Sequence, residues 1–160
     1  MLIGIMSDSH DDMQRIRDAV ALFNGRKAEH VIHAGDMVSP FTMDEFGSLA
    51  CPMTAIFGNN DGDRVLLTQR YGETMNTQPH IFTLDGKRFA LVHEPVSVNA
   101  LADSGHYDVV VYGHTHRPEI RSVARTIVVN PGKTARLHKG ASTVAFYDTE
   151  TGNAELVEIP

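Results

Sequence analysis

A chain of 160 residues, 42% hydrophobic and 21% charged, is long enough to bury a proper core and too apolar for a disordered segment. Its net charge of −6 is a poor match to long nucleic acid, which is bound by clustered Lys and Arg. With Cys51 the only cysteine, no apolar run near the roughly 20 residues of a membrane span, and no basic start or cleavage site around the apolar Met1–Met6, a cytoplasmic protein without disulfides or membrane segments is expected.

One domain over residues 1–160 is expected. Leu2–Ser7 reads as a short strand. Met13, Ile16, Ala19, Val20 and Phe23 then recur at helical spacing, with Gly25 as the stop. A second strand starts at Val31-Ile32 and closes at Ala34-Gly35-Asp36. Pro40 suits the first turn of a helix running to about Leu49. Met53–Phe57 is a third strand, ended by Gly58-Asn59-Asn60-Asp61-Gly62, and a helix over about Asp63–Tyr71 follows.

In the second half, Ile81–Leu84 and Arg88–His93 flank Asp85-Gly86, a hairpin signal. A short helix over Val98–Asp103 precedes the apolar strand Asp108–Tyr112, which ends in Gly113-His114-Thr115-His116. The remaining strands are Ile120–Val123, Thr126–Asn130, Thr143–Tyr147 and Ala154–Ile159. Strand–helix units early and antiparallel strands late predict two sheets packed face to face with helices outside.

Five strands end in clusters of Asp, His or Asn, often beside a glycine, and ligands of open α/β sheets bind at such carboxyl ends. Asp8-Ser9-His10 offers a hard oxygen and an imidazole at i, i+2. With Ser9, Asp11 and Asp12 it also reads as a turn and helix cap. Gly35-Asp36 is a common turn, or a carboxylate placed to bridge two cations. Asn59, in a glycine-flanked loop, offers a neutral oxygen that leaves a cation strongly Lewis acidic. His114 and His116 on a glycine loop are hard to explain as packing residues, and His93 closes its own strand. His30, His33, His80, His106 and His138 fall outside the pattern and read as structural or surface residues, with His33 a neighbour of Gly35-Asp36.

The order Asp-x-His, Gly-Asp, Gly-Asn-x-Asp, His, Gly-His-x-His resembles the calcineurin-like metallophosphoesterase superfamily over essentially the whole chain. The length resembles its small single-domain phosphodiesterase branch. The resemblance implies an α/β fold, a four-layer α/β/β/α sandwich of two mixed β-sheets flanked by helices (the metallophosphatase fold). It implies two divalent metal ions. Asp8, His10 and His116 would hold the first, Asn59, His93 and His114 the second, and Asp36 would bridge them. Manganese is the first expectation, with nickel, iron, cobalt and zinc also compatible. The implied activity is hydrolysis of small phosphodiesters by a hydroxide shared between the ions, with Asp36, Asn59 and His114 as the residues on which catalysis depends most.

Where many relatives carry a histidine to protonate the leaving group, this chain has Asn60, so esters with good leaving groups should react best. Glu94-Pro95 replaces a common glycine after His93, and Asn130-Pro131-Gly132 resembles a loop near the site. Asn60 and Arg117 are the expected substrate contacts. Arg117, Arg64, Lys133 and Arg136 also read as solvated surface charges. The expected partner is a small phosphorylated substrate, not a membrane or long nucleic acid, and a homo-oligomer is compatible with the sequence. The alternatives are a binding scaffold of the same fold, which could lose ligands that are all present here, and a nuclease, which the acidic balance disfavours.

Overall fold

The computed structural model describes residues 1–137 and 139–160; His138 lies outside the described residues. The elements run β1 (Leu2–Met6), α1 (Met13–Gly25), β2 (His30–His33), α2 (Met43–Phe46), β3 (Met53–Ile56), α3 (Arg64–Tyr71), β4 (Met75–Asn76) and β5 (His80–Leu84). They continue with β6 (Lys87–Leu91), α4 (Val98–Asp103), β7 (Val109–Val111), β8 (Glu119–Val123), β9 (Thr126–Asn130), β10 (Thr143–Asp148) and β11 (Ala154–Glu158). Among the described residues, no helix is long and apolar enough to cross a membrane.

Helix α1 starts where Asp12 accepts the Arg15 N–H at 3.2 Å, satisfying one of the orphan donors of a helix start. Its Ile16, Ala19, Val20 and Phe23 are buried as the spacing predicts. Phe23 lies so close to β1 that a Cβ on Gly4 would fall 2.5 Å from its ring. The segment expected as one helix from Pro40 to Leu49 is shorter. A 3₁₀ turn capped by Ser39 covers Pro40–Thr42, and α2 stops at Phe46 before Gly47. Strand β4 was not anticipated; two residues are too few to show alternation.

The strands form two mixed sheets, ordered β11-β10-β1-β2-β3-β4 and β5-β6-β7-β9-β8. Strands β1 to β4 run parallel, as do β6, β7 and β9. The sheets are not the two halves of the chain, because β10 and β11 return to β1 in antiparallel register. Three apolar layers separate the elements. Met6, Phe23, Val31 and Phe146 pack between the first sheet and α1, α2 and α3. Ile3, Ile5, Ile32, Phe89 and Val111 fill the space between the sheets. Val92, Val98, Ala102 and Val110 join the second sheet to α4. The alternation Ile3/Ile5 against Met6 on β1 follows from successive side chains pointing to opposite faces. The result is a four-layer α/β/β/α sandwich, with the carboxyl ends of the parallel strands in both sheets brought to one edge.

Candidate metal centre

Beyond the strand ends, the connecting loops are stitched together. Asp8 N–H donates to the Gly35 carbonyl at 3.0 Å, and His10 N–H to the Asp36 carbonyl at 3.0 Å. Across the sheets, His93 Nδ1 lies 2.7 Å from the Ala34 carbonyl and His114 N–H donates to Asp8 Oδ2 at 3.0 Å. These bonds hold a backbone that side chains ordinarily avoid. Asp8, His10, Asp36, His114 and His116 have φ of 53°, 40°, 61°, 65° and 56°, a left-handed conformation that costs about 1–2 kcal/mol per residue. Strain of this kind collects where the surroundings over-determine it, typically at functional sites.

Tight glycines bring the loops together. A Cβ on Gly35 would fall 2.7 Å from His93 Nδ1, on Gly58 2.2 Å from Asp36 Oδ1, and on Gly113 2.0 Å from Ser7 Oγ.

The expected donors converge. Asp8, fully buried, has Oδ1 3.2 Å from His116 Nε2 and 3.8 Å from His10 Nε2. Asn59 Oδ1 lies 2.9 Å from His93 Nε2 and 2.8 Å from His114 Nδ1. Asp36 Oδ2 falls between the two sets, 3.6 Å from His10 Nε2 and 3.4 Å from His93 Nε2. Because His93 Nδ1–H faces the Ala34 carbonyl, its Nε2 presents a lone pair to the cluster when the ring is neutral.

The donor chemistry fits a cation. Asp8 Oδ1 and His10 Nε2 are buried without a hydrogen-bond partner in the protein, and such groups are costly to leave unmatched. Asp8, His10 and His116, and likewise Asp8, Asp36 and His93, place one ligand atom each within 4.8 Å of one another. Burial pushes the Asp36 carboxyl up, but the adjacent His93 ring and the hydrogen bonds from Asn60 outweigh it and hold the group well below the usual carboxylate range. Asp8 is likewise lowered against its burial by His10, Ser7 and the His93 and His116 rings. Both carboxylates are therefore ionised and available to a cation near neutral pH.

Asn60 sits beside the cluster, its Nδ2 donating to Asp36 Oδ2 at 2.7 Å and its N–H to Oδ1 at 2.8 Å. Arg117 lines a neighbouring groove of about 470 Å³ with Tyr112, Thr115, Pro118 and Glu119. Arg64 instead braces the Asn59 loop, donating to the Asp61 and Gly58 carbonyls at 3.2 and 3.3 Å. Lys133, expected at the surface, is buried, its Nζ donating to the Gly140 and Ala141 carbonyls. Arg136 embraces Asp12 through Nε and a terminal nitrogen at 3.1 and 3.0 Å. His30 pairs with Thr54, His80 stacks on Phe82, and His106 is exposed.

Two residues whose positions the sequence displayed have supporting tasks that it did not. The buried Asp61 carboxylate accepts the N–H groups of Gly58, Asp36 and Val38 at 2.7, 3.0 and 2.6 Å, clamping the loops after β2 and β3. The Gly-Asn-x-Asp spacing displayed the residue but not this task. Asn130, also buried, holds the Gly113–His116 loop from β9.

The family model of the calcineurin-like phosphoesterase superfamily domain matches residues 1–152. A phosphodiesterase of Methanocaldococcus jannaschii is 40% identical over 157 residues, 94% of each chain. A solved archaeal phosphodiesterase superposes with a TM-score of 0.92 at 36% identity, covering 99% of both chains. Vps29 of Entamoeba histolytica, solved in complex with zinc, shares the fold at a TM-score of 0.69 and 16% identity over the whole of both chains.

Proposed function

The chain belongs to the calcineurin-like phosphoesterase superfamily, and we propose that within it the protein is a phosphodiesterase that holds two divalent cations, manganese first among them. The observation that carries this reading is the position of Asp36 Oδ2 between two donor sets, 3.6 Å from His10 and 3.4 Å from His93. Asp8, His10 and His116 would serve one cation, and Asn59, His93 and His114 the other. Bound there, the pair supplies Lewis-acid polarisation of a phosphoryl oxygen and lowers the pKa of water.

The residues explain how the site suits a small phosphodiester. Only two carboxylates enter the donor set, so two dications would leave a net positive centre for a phosphate oxyanion, despite the overall charge of −6. Asn59 contributes no charge of its own. Asn60 holds the Asp36 carboxylate with its amide and has no titratable proton to give a departing alkoxide, so substrates with acidic leaving groups are favoured. Arg117 is the cation nearest in sequence to the histidine loop and is proposed to meet the substrate's outer oxygens. The full set of donors supports an enzyme over a scaffold that has shed its chemistry.

The test uses protein stripped with a chelator and reloaded with Mn²⁺, assayed on a chromogenic aryl phosphodiester and the matching monoester. Metal-restored turnover should be faster on the diester and abolished in Asp36→Ala, with the far-UV circular dichroism unchanged. Wild-type rates in Asp36→Ala would remove the bridging role, and a faster monoester would make the protein a monoesterase.

A further inference from the structure

The loop Gly113–Arg117 has two working sides. Toward the donor cluster it presents His114, with Nδ1 2.8 Å from Asn59 Oδ1, and His116, with Nε2 3.2 Å from Asp8 Oδ1. The residues that alternate with these histidines are held from the other direction. Asn130, at the end of β9 and fully buried, donates through Nδ2 to the Gly113 carbonyl at 3.0 Å and to Thr115 Oγ1 at 3.0 Å. Its Oδ1 accepts the Gly132 N–H at 2.8 Å, which settles which way the amide faces. The Thr115 hydroxyl also accepts the Arg117 N–H at 3.4 Å. Positions 113 and 115 are thus tied to one amide and 117 to the Thr115 hydroxyl, while 114 and 116 face the site.

We propose that Asn130, acting with the Thr115 hydroxyl, is the positioning residue for both metal-binding histidines, and so governs how tightly this chain holds its cations. The inference rests on the metal reading above and extends it to a residue that touches neither metal nor substrate. His114 and His116 both have left-handed backbone, at φ 65° and 56°, and a loop so strained keeps its shape only where its surroundings insist on it. An asparagine is the side chain that meets the demand. It must give hydrogens to a carbonyl and a hydroxyl, and also accept one from Gly132. Aspartate has no hydrogen for the Gly113 carbonyl, and alanine does neither task. The anchor is itself firm: the Pro131 carbonyl accepts the Thr143 hydroxyl at 2.6 Å. Because the loop carries one proposed ligand for each cation, a slack loop would weaken both.

The experiment measures Mn²⁺ binding to chelator-stripped full-length protein by titration calorimetry, with no turnover involved. Asn130→Asp, nearly the same shape, and Thr115→Val, which keeps the bulk and loses the hydroxyl, should bind Mn²⁺ about 10–100-fold more weakly, the usual effect of losing a group that orients a ligand. Thr115→Ser keeps the hydroxyl and should stay with wild type, which a merely volumetric role would not predict. If Asn130→Asp does not fold, Thr115→Val decides alone. Wild-type Mn²⁺ affinity in a folded Asn130→Asp or in Thr115→Val would overturn the inference while leaving the metal site standing. A wild-type protein that takes up no Mn²⁺ would overturn both.

Discussion

His33 ends β2 wholly buried, and its two ring nitrogens have opposite tasks. Nδ1 accepts the Gly35 N–H at 3.2 Å, so Nε2 carries the proton offered to Ser9 Oγ at 3.0 Å. The neutral ring thereby joins the loop after β2 to the loop after β1. Burial pushes its pKa down to about 4, against partial opposition from the charges of Asp61, Asp8 and Asp36. In the unfolded chain the ring takes a proton near its ordinary value of 6.5, whereas the folded ring resists to about 4. Between those values the unfolded state binds more protons at this ring, so the contribution of His33 to stability falls as pH drops through that window, by up to about 3 kcal/mol. His33→Asn, which keeps an acceptor near Nδ1, should flatten this dependence. Urea midpoints for metal-free protein at about pH 7.5 and pH 5 would show it, and an unchanged pH difference in the variant would remove His33 as the cause.

At the scale of elements, the decisive contacts lie where a strand of one sheet approaches a strand of the other. Gly113 follows β7 and its Cα faces β1, where an added Cβ would fall 2.0 Å from Ser7 Oγ and 2.8 Å from Asp8 Oδ2. Its N–H also donates to the His93 carbonyl at 3.1 Å, so the loop cannot simply back away. Gly113→Ala should therefore displace the Asp8 carboxylate or the histidine loop, and both carry proposed ligands. The expected outcome is at least about tenfold weaker Mn²⁺ binding, read by calorimetry on protein that still shows a native circular dichroism spectrum. Unchanged affinity would mean that the Ser7 side chain turns aside and the strand ends absorb the methyl.

For the whole molecule, the apolar burial lies in three layers and the candidate metal centre at one edge. Phe89, in the layer between the sheets, is fully buried, stacks on Phe82 at a centroid distance of 5.3 Å and meets Tyr147 edge-on at 6.0 Å. Phe89→Ala should cost about 3–5 kcal/mol, the lost transfer energy plus the cavity left behind, measured by urea unfolding. His93 lies four residues further along β6 and its outgoing loop, about 13 Å at a strand's rise. Mn²⁺ uptake by the folded variant should accordingly persist. Loss of uptake in a variant that remains folded would show that the sheet-to-sheet packing itself sets the strand ends.

Much of this protein was legible from residue order. Among the described residues, period and punctuation located ten of the eleven strands, missing only the two-residue β4, because burial of one strand face or one helix stripe is written locally as alternation or helical spacing. The candidate chemistry of the strand ends was equally local: Asp, His and Asn next to glycines mark out possible donors before any distance is known. What the tertiary structure alone decided was pairing. Nothing near Thr143 says that β10 returns to β1. Likewise, nothing near Asp61 names its three backbone donors in the loops after β2 and β3, nothing near Asn130 points to Gly113, and Lys133 gives no sign of burial beneath two carbonyls. Hydrogen-bond partners across strands depend on register, and register is a property of the assembled sheets, so residue types could be read singly while their tasks could not.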